Sequence, residues 1–288
     1  NLSTSGTITA GGNIIVGGTV DGINIADSLD QAVKTTSAVT FATVNTGQGA
    51  NELYDMNQNV TTTSTPTFAD LTITDDLKVN DLITSKIKEL TPNIPVISEE
   101  TVDLKIKNTA NIFWLIDPID GTKEYIAGRD EYTLNAALVI NTVPILGVVG
   151  VPKKNRLFYS YASGESFLIE SGETKKINCQ KKQPKGQIVA LSSSLKPSDV
   201  ILNKLKEFNV SSIVKMASSY KFCVIANGEY DIYAAQERAN EWDYAAGHAV
   251  AQNAGAIIKT LDEKPFLYGK EDYKNPSLLI KRSENLDD

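Results

Sequence analysis

The amino-acid sequence predicts a layered α/β domain over residues 75–288, preceded by a β-rich, Thr/Gly-rich segment over residues 1–74. Three observations carry this reading. Charged residues are scarce before Asp75 and common after it. Beyond that point short β-branched runs alternate with stretches of helical periodicity, the pattern of packed strand and helix layers. The acidic motifs fall where those strands end and where a helix begins.

The whole chain is long enough for one large domain or two small ones. A net charge of −7 argues against binding a nucleic-acid polymer, which needs a basic face. Cys179 and Cys223 are too few for a disulfide framework or a zinc site and fit a reducing compartment, most simply the cytoplasm. No run approaches the roughly 20 apolar residues of a transmembrane segment. The chain starts at Asn1 with neither a basic nor an apolar leader, and without an initiator methionine it reads as a fragment or a processed chain.

In the N-terminal segment, residues 6–18 alternate β-branched side chains with Gly and Asn, which predicts short strands. An internal repeat follows: Asp30 to Ala42 returns as Asn57 to Ala69, with Phe41 and Phe68 in register 27 residues apart. A period of this size suggests a stacked unit that cannot bury its apolar face alone. The repeat resembles the shaft segments of phage tail fibres, which implies a trimer if the segment is such a shaft. A disordered Thr/Gly-rich leader is the alternative.

The α/β region opens with a helical pattern in which Leu77, Val79, Leu82, Ile83, Ile87 and Leu90 are expected on one apolar face, stopped by Thr91-Pro92-Asn93. Residues 94–97 and 112–116 read as buried strands. Residues 135–140 and 145–151 read as a strand pair around Asn141–Pro144, and 188–191 as a further strand. Helices are expected at 198–208, 220–227 and 243–254.

Three acidic motifs punctuate these elements. They are Ser98-Glu99-Glu100, Asp117-Pro118-Ile119-Asp120-Gly121-Thr122 and Trp242-Asp243. Carboxylates at strand ends and helix starts lie at the rim of a sheet, where α/β folds bind ligands. Oxygen ligands with no His or Cys among them suit Mg²⁺ rather than zinc. Pro118 interrupts regular structure and Gly121 permits a tight turn, so Asp117, Asp120 and the Ile119 carbonyl can converge on neighbouring ions. The amides of Gly121 and Thr122 would then face a phosphate. Paired divalent ions are a common device for attack of water on phosphorus. Each motif also has a plain structural reading: a solvated Glu pair, a turn, and a helix cap. Their occurrence together, in this order within one domain, favours the metal site.

The residues from Asp76 to about Ile280 resemble the inositol monophosphatase superfamily. The likeness lies in residues 117–125 (Asp-Pro-Ile-Asp-Gly-Thr-Lys-Glu-Tyr), 132–138 (Tyr-Thr-Leu-Asn-Ala-Ala-Leu) and 145–149. It continues in residues 218–223 (Ser-Ser-Tyr-Lys-Phe-Cys) and 242–248 (Trp-Asp-Tyr-Ala-Ala-Gly-His). Lys123-Glu124 followed by an aromatic residue resembles the 3'(2'),5'-bisphosphate nucleotidase branch.

The resemblance implies an α+β layered sandwich of the inositol monophosphatase and fructose-bisphosphatase kind, with two or three Mg²⁺ ions. It implies that Glu99, Asp117 and the Ile119 carbonyl hold one ion, and Asp117, Asp120 and Asp243 a second. Thr122, helped by Glu99, would orient the attacking water, and Asp76 would accept a proton. Gly121, Ser194 and Lys221 would meet the substrate, together with the metal-site residues Glu99, Ile119, Asp120, Thr122 and Asp243. The implied substrate is a small nucleotide bisphosphate, 3'-phosphoadenosine 5'-phosphate, cleaved to AMP and phosphate, with inhibition by lithium. The implied location is the cytoplasm, free or peripheral to the inner membrane, and the protein would be a monomer or homo-oligomer. Lys221 has a solvated-lysine alternative, and His248 is expected to pack a helix rather than catalyse.

Two departures from the family pattern stand out. The two long helices with which the family domain opens are replaced by the fibre-like repeat. The family's Ser-Arg-Ser-His loop reads Ser192-Ser193-Ser194-Leu195, which removes an Arg and a His from the expected grip on a doubly phosphorylated nucleotide. Inositol monophosphatase chemistry is the alternative within the same class. A tail-fibre-like structural protein carrying an inactive phosphatase-like domain is the alternative outside it.

Overall fold

The structure, a computed structural model, describes residues 19–20, 23–24 and 69–286, apart from 105–107, 162–163 and 181–186. The chain separates into two compact units, Asn1–Ser64 and Thr65–Asp288. In the first, β1 (Thr19–Val20) and β2 (Ile23–Asn24) form an antiparallel pair. The strands expected at 6–18, and the repeat up to residue 68, lie outside the described residues.

The second unit begins with α1 (Ala69–Leu90), a helix that runs straight across the boundary expected at residue 75. β3 (Val96–Ser98), β4 (Ile112–Asp120), the short α2 (Thr122–Ile126), β5 (Thr133–Ile140) and β6 (Val143–Val151) follow. β7 (Arg156–Tyr161), β8 (Glu165–Glu170) and β9 (Glu173–Ile177) complete a seven-stranded sheet in simple chain order. Only β3 and β4 are parallel in it. The rest of the chain supplies β10 (Val189–Ser192), α3 (Asp199–Lys206), β11 (Ser212–Lys215), α4 (Tyr220–Ala226) and β12 (Ile232–Ala235). It ends with α5 (Glu241–Asn253), β13 (Ile257–Lys259) and β14 (Leu278–Lys281). Its strands form a second sheet of order β11-β10-β12-β14-β13.

Period-two alternation explains how the layers stack. On β4, Phe113 and Leu115 enter the main core together with residues of α4 and α5 and with Leu191, Tyr233 and Ile280 of the second sheet. On the opposite face of β4, the Trp114 indole Nε1 donates to Thr91 Oγ1 just past the end of α1 (3.1 Å). The other face of the second sheet packs Ala190, Ile232 and Leu279 against Ile201 and Leu205 of α3. The order of layers is therefore α1, seven-stranded sheet, α4 with α5, five-stranded sheet, α3.

The central position of α5 explains its composition. It is buried along nearly its whole length, and the run Ala245-Ala246-Gly247 lets two sheets and α4 approach it closely. Gly247 lies against the Phe222 ring, and Gly147 of β6 lies against the Ala246 carbonyl. His248 is buried here, with Nδ1 3.0 Å from Tyr268 Oη and Nε2 2.8 Å from Gln252 Oε1. Burial pushes its pKa down to about 4, so it stays neutral and serves packing, as expected from the sequence.

One expectation is corrected. The stripe of α1 that faces the protein is not the predicted run of apolar residues: Asp76, Asn80 and Thr84 are buried, flanked by half-buried Val79, Ile83 and Ile87. Leu82 is 72% exposed and Leu90 70% exposed. The spacing i, i+4, i+8 selects the polar residues as the inward stripe, and Leu82 points away from it.

Candidate active site

The site is built where the parallel pair β3–β4 ends. In a regular strand, residues three apart face opposite sides. The pairing of β4 with β5 slips between Asp117, opposite Asn135, and Asp120, opposite Thr133. Three residues on β4 therefore span two on β5. That one-residue bulge, at Pro118-Ile119, turns both carboxylates to the same side. Gly121 follows with φ 91°, a left-handed conformation that starts α2 and suits glycine. The Thr122 hydroxyl then donates back to the Ile119 carbonyl (3.2 Å).

Glu99 comes from the end of β3, where Ser98 Oγ donates to Asn80 Oδ1 of α1 (2.6 Å) and ties strand to helix. Asp243 comes from the first turn of α5, where one carboxylate oxygen accepts from Asn240 N (2.8 Å) in a capping box. The cap and the cluster are thus served by the same residue. Carboxylate oxygens of Glu99, Asp117 and Asp243 lie within 4.8 Å of one another.

Asp120 is held by a separate network. Its Oδ2 accepts from Ser219 N, from Asn135 Nδ2 (3.4 Å) and from Thr133 Oγ1 (3.5 Å). Ser219 Oγ in turn donates to Asn135 Oδ1 (2.8 Å). Thr133, Asn135 and Ser219 lie in the motifs that carry the family resemblance, yet sequence reasoning gave them no role; their signal was a run of small polar residues inside otherwise apolar elements.

Such crowding of negative charge is unfavourable without a cation. Asp117 is buried, its Oδ1 has no hydrogen-bond partner, and burial together with Asp120 and Glu99 pushes its pKa well up. Burial, then Asp120, raises Asp243 to about 7. Burial, then Glu100 and Glu99, raises Asp76 to about 7, and its Oδ1 also has no partner. Burial and the neighbouring Glu100 and Asp120 raise Glu99 too. Orphaned buried carboxylate oxygens, and a donor set made only of oxygen, fit a hard divalent cation.

The sign of the pH effect follows. Asp76 and Asp243 bind protons more tightly when folded than the ordinary value of 3.8 allows when unfolded. Their contribution to stability is present below about pH 4 and is lost as pH rises through about 7. The metal-free protein is expected to lose on the order of a few kcal/mol between about pH 5 and about pH 8, read as a falling thermal midpoint. Added Mg²⁺ is expected to restore more stability at the upper pH than at the lower. A midpoint that climbs over this range in the metal-free protein would contradict the arrangement.

Beside the carboxylates opens a cleft of about 490 Å³, lined by Asp120, Gly121, Thr122 and Asp243 and by the cations Lys123, Lys215, Lys221 and Arg238. Lys221 is buried; its Nζ donates to the Ser218 carbonyl and lies 5.1 Å from the Tyr233 ring centroid. Its charge lowers the pKa of Asp120, offsetting part of the effect of burial. Ser194 does not line this cleft. It lies on an adjoining cavity of about 150 Å³, while Ser193 lines both.

Layers, bulge and carboxylate cluster together define a class, and the chain belongs to the inositol monophosphatase family, whose model matches residues 30–286. Within that family it is similar to the 3'(2'),5'-bisphosphate nucleotidase CysQ of Escherichia coli K12, at 34% identity over 238 residues, 82% of this chain and 95% of that protein. It is 37% identical to the Buchnera aphidicola CysQ over 190 residues, 65% of this chain and 71% of that one. The solved CysQ of Bacteroides thetaiotaomicron superposes with a TM-score of 0.64 at 30% identity, over 73% of this chain and 84% of that chain. Inositol monophosphatase II of Staphylococcus aureus, at 20% identity and a TM-score of 0.63 over 76% and 82%, shares the fold. The family match starts at residue 30, inside the stretch read from the sequence as fibre-like, so the family likeness extends further towards the N-terminus than the signature motifs do. Among the described residues no helix is long and apolar enough to cross a membrane.

Proposed function

We propose that this chain is a magnesium-dependent 3'(2'),5'-bisphosphate nucleotidase that converts 3'-phosphoadenosine 5'-phosphate and water to AMP and phosphate. The observation that carries the metal-dependent chemistry is the cluster of Glu99, Asp117 and Asp243 carboxylates, held within 4.8 Å beside a cation-lined cleft. Lys123-Glu124, with Lys123 on the cleft, supports the nucleotide branch.

The assignment gives Glu99, Asp117 and the Ile119 carbonyl to one Mg²⁺, and Asp117, Asp120 and Asp243 to a second, in a site of two or three ions. Ions bound there would supply Lewis-acid polarisation of the phosphate and a more nucleophilic water. The remaining work falls to the chain. Thr122 Oγ1, fixed by its bond to the Ile119 carbonyl, and Glu99 orient the attacking water. Asp76 Oδ1, unpartnered and titrating near neutrality, accepts a proton. Lys221 and the amides of Gly121 and Thr122 counter phosphate charge, and Ser194 contacts the substrate from the adjoining cavity. We assign this activity to the cytoplasm, where the buried, unbonded Cys179 and Cys223 persist as thiols. The test is phosphate release from 3'-phosphoadenosine 5'-phosphate in Mg²⁺, read beside inositol 1-phosphate. Turnover of the inositol ester alone would overturn the nucleotide assignment.

A further inference from the structure

Glu241 and Asp243 stand two residues apart in the first turn of α5, and residues two apart on a helix do not share a face. Asp243 turns to the carboxylate cluster. Glu241 turns instead into the segment of residues 266–275 that connects β13 to β14, and its carboxylate is fully buried there. A buried charge is tolerated only where it is paired and hydrogen-bonded. Glu241 meets that condition three times. Oε2 accepts from Gly269 N (2.8 Å), Oε1 accepts from Lys270 N (3.0 Å), and Lys270 Nζ lies 2.5 Å from Oε1.

The same segment grips the helix start at further points. Glu241 N donates to the Tyr273 carbonyl (2.7 Å), and Asn275 N donates to the Ala239 carbonyl (2.8 Å). Asn275 Nδ2 donates to the Asn240 carbonyl (2.5 Å), and Lys274 Nζ donates to Asn240 Oδ1 (2.6 Å). The segment is anchored in its turn: Tyr268 N donates to the Thr142 carbonyl at the β5–β6 turn (2.9 Å), and Gly269 lies against the Phe113 ring of β4. Asn240 N donates to Asp243 Oδ2 (2.8 Å), so any shift of the helix start moves a carboxylate of the cluster. Glu241 is the charge on which this grip closes, and a carboxylate in the first turn is also favoured by the helix dipole.

We propose that Glu241 is a positioning residue for divalent-metal binding: by locking the first turn of α5 to Gly269 and Lys270, it holds the Asp243 carboxylate in the cluster. The inference rests on the metal-dependent phosphatase reading and deepens it, naming a residue outside the cleft on which metal affinity depends. Glu241 does not line the cleft, so its effect reaches the ions only through Asp243. Residues that hold a metal ligand in place contribute about 10- to 100-fold in metal affinity.

The experiment titrates Mg²⁺ into the full chain without substrate and reads the rise in thermal midpoint; a parallel titration reads phosphate release from 3'-phosphoadenosine 5'-phosphate. In Glu241→Ala the Mg²⁺ concentration needed for a given rise in midpoint, and for half-maximal release, is expected to increase about tenfold, with KM for the nucleotide at saturating Mg²⁺ unchanged. Glu241→Gln keeps the shape and one acceptor oxygen, so it is expected to fold and to show a smaller increase of the same sign. If the alanine variant does not fold, the glutamine variant decides. A lower midpoint in the metal-free variants with an unchanged Mg²⁺ requirement marks a merely structural role and overturns the proposal. If Mg²⁺ stabilises the unsubstituted protein but no phosphate is released, the phosphatase reading fails while the thermal titration still decides on Glu241. If Mg²⁺ does not stabilise the unsubstituted protein, both fail.

Discussion

Replacing Asp117 by Asn is expected to abolish hydrolysis, with kcat falling at least about 10³-fold, or about 4 kcal/mol of transition-state stabilisation. Asp117 is the residue assigned to both ions, and it sits at the centre of the charge cluster: Asp120, Glu99, Asp243 and Asp76 all raise its pKa. Asn keeps the shape and removes the charge. In the metal-free protein that change relieves repulsion at a buried site, so the variant is expected to be at least as stable as the unsubstituted protein. Its stabilisation by Mg²⁺ should shrink together with its activity. The opposite signs separate the two roles. A variant that unfolds would point to a purely structural aspartate, and one that retains substantial turnover would sink the assignment of a shared ligand.

The largest expected effect on stability comes from Gly147→Ala. A Cβ at this position of β6 would lie 2.3 Å from the Ala246 carbonyl oxygen and 2.9 Å from Ala249 Cβ, both on α5. Two rigid backbones meet there, and neither can retreat without opening the layer between the sheets. The expected cost is about 3 kcal/mol, seen as a fall in thermal midpoint of roughly 6–12 °C for a domain of this size. Gly150, three residues along the same strand, is the control: its Cβ would meet Leu134 at 3.5 Å, an ordinary contact. Gly150→Ala should therefore be nearly neutral. Similar midpoints for the two variants would contradict the close approach of α5 to the seven-stranded sheet.

Much of the site was legible because its chemistry is concentrated in short contiguous runs. Asp117 to Thr122 carries a bulge, a left-handed glycine and two carboxylates in six residues, and Trp242-Asp243 marks a helix start. The elements read with confidence of pattern, β4, β5, β6, α3 and α5, are those with long apolar runs or clear caps. The strands β7 to β9 went unread because charged and aromatic residues break their alternation: Arg156 is half-buried in ion pairs with Glu170 and Glu229, and Tyr159 stacks on Phe167. The strands β11 to β14 are three or four residues long and went unread, whereas β3 and β10, which are no longer, were read from their apolar runs.

The inward stripe of α1 was misread for a different reason. Asp76 and Asn80 are buried because they face the site and the end of β3, a tertiary demand that hydrophobic periodicity does not encode.

The measurement that tests the account most directly is phosphate release from 3'-phosphoadenosine 5'-phosphate before chelation, after thorough chelation, and after Mg²⁺ is returned. The carboxylate cluster predicts release that is lost with the metal and restored by it, in a protein that stays folded throughout. Release that survives chelation would contradict the claim that Glu99, Asp117, Asp120 and Asp243 exist to hold divalent ions.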